Sequence, residues 1–151
     1  MRDGLEAICA TGAEMGLPYF VALLGGALGK AGKPDTGLVE IDRALSMANQ
    51  HGGRFQFSEM LRLKGELLAM LSKSKLPEAQ ACFREAIAAA DKQGAKLPKL
   101  RSAMSLARLL AGKGGAAKAL AVLQPAYEAI TEGLDLSDLK AAAMLLAELR
   151  N

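Results

Sequence analysis

Few residues in this 151-residue chain could do chemistry, and each motif can be tested against the spacing its chemistry needs. The run Gly25-Gly26-Ala27-Leu28-Gly29-Lys30-Ala31 has the glycines and the lysine of a phosphate-binding loop. Such a loop needs four residues between its first Gly and its Gly-Lys, then a Ser or Thr hydroxyl for magnesium. Here only Gly26, Ala27 and Leu28 intervene, and Ala31 follows. The glycines also fall where helices would pack, and no strand precedes them as a dinucleotide fingerprint requires. His51 is the sole histidine, in Asn49-Gln50-His51-Gly52-Gly53. At a helix end its cationic form complements the dipole, and no nucleophile is paired with it. Cys9 and Cys82 lie in apolar helical stretches and read as small core hydrophobes with reduced thiols. One His and two Cys cannot build a four-ligand zinc site. Asp35, Asp42, Asp91, Asp135 and Asp138 fall at helix ends and exposed helical positions, and no pair of them is assignable to two metal ions. The expectation is therefore no catalytic residue, no cofactor and no metal site. Lys92, Lys96, Lys99 and Arg101 form the densest basic run, which reads as a solvated junction between two helices. A net charge of +3, 4% aromatics and no Trp do not make a nucleic-acid surface.

The elements behind these residues are helices. The chain holds 29 Ala and 26 Leu against ten Val, Ile and Thr together, which favours helix over strand. Apolar residues recur at helical spacing over 2–14, 17–31, 35–50, 54–72, 76–92, 97–112, 115–131 and 138–150. Pro18 and Pro34 suit first-turn positions, Gly32 and Gly52-Gly53 suit helix C-termini, and Ser137 suits an N-cap. The longest uncharged stretch, Met15 to Gly29, contains Pro18, Gly25 and Gly26 and is too short to span a bilayer. With no signal peptide in evidence, the expected compartment is the cytoplasm.

The helices also repeat. Gly25, Gly65 and Ala107 recur on the first helix of three pairs, and Gly37, Ala79 and Ala119 on the second. Ile41, Phe83 and Leu123 follow, then Ala44, Ala86 and Ala126. A sustained period near 40 residues in helix pairs is the mark of an α-solenoid. The expected domain is a single unit over 1–151, with repeats at 17–51, 54–93 and 97–132 and flanking helices at 2–14 and 138–150.

Leu106-Ala107, Gly114, Ala119, Leu123 and Ala126-Tyr127, with Glu78-Ala79, Phe83 and Ala86, resemble the tetratricopeptide repeat. The period exceeds that family's roughly 34 residues, and Ser72-Lys73-Ser74-Lys75 lengthens one turn. Three longer stretches, Ala10–Phe20, Arg62–Leu68 and Ala79–Ala86, resemble a narrower group, as does the pattern Tyr127, Thr131-Glu132-Gly133, Asp135, Asp138-Leu139-Lys140. They are similar to the C-terminal tetratricopeptide segment of bacterial class III adenylate/guanylate cyclase or transcriptional-regulator proteins that carry a signal-transducing P-loop ATPase domain. The resemblance implies an all-α, right-handed superhelix without catalytic parts of its own, acting as the scaffold or sensor segment of a larger signalling protein. The alternative is a free-standing tetratricopeptide adaptor that binds a short peptide.

In tetratricopeptide arrays the first helix of each pair lines the concave side. The resemblance therefore implies a groove of Tyr19 and Lys30 from the first pair, Glu59, Arg62, Glu66 and Met70 from the second, and Arg101, Met104 and Arg108 from the third. Three Arg on one line could clamp a carboxylate. Equally, Glu59 three residues before Arg62 and Glu66 four after it could neutralise that Arg within the helix. The expected partner is a protein or peptide, with no nucleic acid and no membrane. Helix 2–14 resembles half of a pair, and its apolar face of Leu5, Ile8 and Cys9 is an expected surface for self-association.

Overall fold

A computed structural model describes residues 16–50, 56–133 and 135–151. The expectations for helix 2–14, Cys9 and His51 lie outside these residues. Among the described residues there are seven α-helices and no strand. They are α1 (Leu17–Lys30), α2 (Pro34–Gln50), α3 (Phe57–Leu71), α4 (Leu76–Lys92), α5 (Lys96–Ala111), α6 (Ala116–Glu128) and α7 (Ser137–Arg150), with a 3-10 turn at Lys73–Lys75 before α4.

The punctuation sets these bounds. Pro18 and Pro77 stand in first turns, where their missing N–H groups have no helical partner to lose. Gly32 and Gly114, at φ +77° and +75°, close α1 and α5 in a left-handed conformation that a side chain would strain. At the first, the Lys33 N–H donates to the Leu28 carbonyl at 2.9 Å; at the second, the Gly115 N–H donates to the Leu110 carbonyl at 3.0 Å. These are the same turn in equivalent places of the first and third pairs. The second pair replaces it with the 3-10 turn of Lys73–Lys75, in a connection of four residues, the same length as the third pair's. Two local expectations need correction. Ser137 is the first residue of α7, with Leu136 in the cap position and no side-chain capping bond. Asp138 in the first turn already supplies negative charge to that helix end. Helix α6 stops at Glu128, short of 131, with Pro125 inside its last turn.

Each odd helix packs on the even helix after it, α1 on α2, α3 on α4 and α5 on α6. The pairs join through α2–α3, α4–α5 and α6–α7. The odd helices also touch in sequence, α1–α3, α3–α5 and α5–α7, so they form one continuous layer.

The repeat period is visible in burial. Ile41, Phe83 and Leu123 are 0–2% exposed, and Ala44, Ala86 and Ala126 match them one turn on. Glycines face the first two across their pairs, Gly25 against Ile41 and Gly65 against Phe83. A Cβ added at Gly65 would lie 2.5 Å from Phe83 Cε1, and one at Gly25 would lie 2.7 Å from the Gly37 carbonyl oxygen. At these points only hydrogen leaves room for the opposing helix. Buried side chains form two clusters, one built on α1, α2 and α3 and the other running from α3 to α7, with Leu38 packed against both. Ion pairs tie successive pairs at their edges, Lys64 to Asp42 at 2.7 Å and Lys99 to Asp91 at 2.6 Å. Among the described residues no helix is long and apolar enough to cross a membrane.

Candidate functional site in the odd-helix layer

Helical spacing places Glu59, Arg62 and Glu66 on one face of α3, since residues three and four apart are neighbours on a helix. Arg62 grips Glu59 with both prongs, donating from Nε at 2.9 Å and from Nη2 at 2.6 Å. Its Nη1 donates to Glu66 Oε1. The same Glu66 oxygen accepts from the Ser105 hydroxyl of α5 at 3.0 Å. Burial alone would lower the Arg62 pKa, but the bonds and charges of Glu59 and Glu66 outweigh it and the value is raised. Arg62 is thus a charged residue whose charge is already matched.

Arg101 of α5 reaches across to α7. Its Nε donates to Asp138 Oδ1 at 3.1 Å, and its Nη2 to Oδ2 at 2.8 Å. The bond from Arg101 holds the Asp138 carboxyl below the ordinary carboxylate range, against the smaller opposing effect of burial. Arg108, two turns further along α5, is exposed and makes no ion pair among the described residues. Of the three Arg that could clamp a carboxylate, two are already neutralised and one is open.

Two adjoining concavities lie in this layer and share Ser105 and Arg108. The polar one, about 380 Å³, is walled by Glu59, Arg62, Arg101, Met104, Ser137, Asp138 and Ala141. The apolar one, about 410 Å³, is walled by Ala69, Met70, Leu76, Phe83, Leu109 and Gly112, with Glu66 and Lys113. Seven of the nine residues expected along the groove therefore line these two hollows. Met104 does so while 5% exposed, as part of the core.

Tyr19 and Lys30 on α1 line neither hollow. Tyr19 stands beside Phe20 with ring centroids 6.2 Å apart and packs against the first core cluster. Lys30 is exposed in the last turn of α1, where its charge complements the helix end. The cause lies in what α1 carries between them. A Cβ at Gly26 would sit 3.1 Å from Leu63, and one at Gly29 would sit 2.1 Å from Leu67. Helix α1 thus packs directly on α3 at these glycines, and neither of the two hollows includes it.

Sequence reading missed several wall residues. Asp138 is 37 residues from Arg101, beyond any local spacing rule. Phe83 was visible as core, but it also lines the apolar hollow. Ser105 had a signal, because it takes the place that Leu63 holds one repeat earlier, a hydroxyl where the period supplies an apolar side chain.

The chemistry-bearing residues outside the layer are separated or paired. The basic run is divided, with Lys99 on Asp91 and Arg101 on Asp138. Asp42, Asp91 and Asp138, expected as exposed or capping charges, each meet a cation of another helix. Cys82 is free and half-buried, and burial pushes its thiol pKa up, which disfavours the nucleophilic thiolate. No cluster of three or more metal-ligating side chains occurs among the described residues. Comparison with protein-family models and with curated proteins gives no match.

Proposed function

We propose that this chain is a non-catalytic protein–protein interaction module, a tetratricopeptide-like right-handed superhelix that holds a peptide segment along its odd-helix layer. The observation that carries this reading is the pair of adjoining hollows, whose walls come from α3, α5 and α7 with Leu76 and Phe83 of α4, and which share Ser105 and Arg108. Concave sites with apolar lining and a few convergent polar groups are the usual form of a binding site. The sequence resemblance supports a role as the C-terminal scaffold or sensor segment of a larger cyclase- or ATPase-type signalling protein in the bacterial cytoplasm. The alternative, a free-standing adaptor, uses the same face; the genomic reading frame separates the two, since in-frame cyclase or P-loop sequence upstream decides for the segment.

The test is selection of short peptides against the folded chain, followed by mapping of each ligand through backbone amide NMR shifts. The expected shifts cluster on α3, α5 and α7 around Arg62, Met104 and Arg108. Ligands that map to the outer faces of α2, α4 and α6 overturn the groove assignment. Stoichiometric binding of ATP in calorimetry overturns the non-catalytic one.

A further inference from the structure

We infer that the apolar hollow reads an apolar side chain next to an Asp or Glu side chain within a peptide segment, the carboxylate being held by Arg108. This rests on the groove reading above and specifies what the groove selects.

Charge complementarity chooses the ligand. Phe83, Leu109 and Met70 line the hollow, and Met70 is 55% exposed, a large apolar side chain left facing solvent. Its charged wall residues are Glu66, Arg108 and Lys113. Glu66 accepts from Arg62 and Ser105 on one oxygen, and Arg62 is shared with Glu59, so that group of three carries one net negative charge. Arg108 and Lys113 make no ion pair among the described residues. Arg108 and Lys113 therefore outweigh the one net negative charge of the Glu59–Arg62–Glu66 group, and the rim is positive beside an apolar lining. A guanidinium with all its donors unused matches a carboxylate in two parallel bonds. Arg108 also lines the polar hollow, so it stands between the two. A chain that fills one hollow and continues into the other passes Arg108 in mid-segment. That favours an acidic side chain over a terminal carboxylate.

The probe is a Gly/Ser octapeptide, N-acetylated and C-amidated, with Phe-Asp at its centre. Three companions carry Phe-Asn, Gly-Asp, or Phe at a free C-terminal carboxylate with no Asp. Binding is followed by amide shifts of the full chain. Two variants dissect it. Arg108→Gln removes the guanidinium from an exposed position. Gly112→Leu fills the hollow from its rim, and the backbone allows it, since a Cβ there meets only the Arg108 and Leu109 carbonyl oxygens at 3.5 and 3.7 Å.

The expected result is that Phe-Asp binds most tightly and that Arg108→Gln weakens it by about tenfold. Phe-Asn should bind the native chain about as weakly, and Arg108→Gln should cost it nothing further. Gly112→Leu should abolish binding of Phe-Asp while leaving the helical circular dichroism intact. Equal binding of Phe-Asp and Phe-Asn overturns the charge reading. Preference for the free C-terminus overturns the mid-segment reading. Concentration-dependent self-association that Gly112→Leu removes assigns the hollow to a second copy and overturns the peptide ligand. If peptides bind the polar hollow and ignore both variants, this inference fails while the groove reading stands; if they bind only the even-helix face, both fail.

Discussion

Gly65 shows how much one missing side chain can decide. The Phe83 ring occupies the space a Cβ would take, and Phe83 is both core and lining of the apolar hollow. Gly65→Leu must therefore push α3 away from α4. Overpacking of this kind costs about 1–3 kcal/mol, so the midpoint of denaturant unfolding should fall accordingly. An unchanged midpoint would mean that Gly65 does not face Phe83. The site residues divide by the range of the forces that fix them. Arg62 with Glu59 and Glu66 was legible, because i,i+3 and i,i+4 spacing is a property of one helix. The burden on Arg101 was not, because its partner Asp138 arrives from a helix two elements away. The freedom of Arg108 was equally invisible, since only assembled neighbours show which cation has been left without one.

Between elements, most of the binding together is apolar, and polar contacts mark the seams. The Arg101–Asp138 contact is a two-pronged bridge from α5 to α7 in a partly exposed place, so its contribution is of the order of 0.5–1 kcal/mol. Its pH dependence has a definite sign. Asp138 has a folded pKa below its ordinary value of about 3.9, so the stabilisation is fully present above that value. It is lost as pH falls through the lower folded value. The native chain should therefore be more stable than Asp138→Asn at neutral pH, and the difference should close in strong acid. A gap in denaturant midpoint that persists into strong acid would show that the bridge is not its source. Helix bounds were largely legible, because Gly32, Pro34, Pro77 and Gly114 act through backbone conformation alone. The ends that departed, at Ser137 and after Glu128, fall where the apolar period alone marks no boundary.

Across the whole molecule, the period near 40 residues was legible because each pair repeats one packing problem, a small residue against a large one. The close packing of α1 on α3 was not, because it depends on Gly26 and Gly29 admitting leucines from α3. The two buried clusters have an energetic consequence of their own. Repeat arrays open in units, and here α3 is the wall that both clusters share. Amide exchange should show two levels, with α1 and α2 opening at lower free energy than the larger cluster on α4 to α6. A single uniform level would show that the array opens as one. The same helix carries Arg62 on its groove face and Met60, Leu63 and Leu67 on its core face. Thermodynamic linkage then follows: a ligand that requires α3 intact suppresses every opening that includes α3, by RT ln(1 + [L]/Kd). Occupancy of two hollows that α1 does not line would be reported at a distance, as slower exchange wherever the opening of α1 and α2 carries α3 with it.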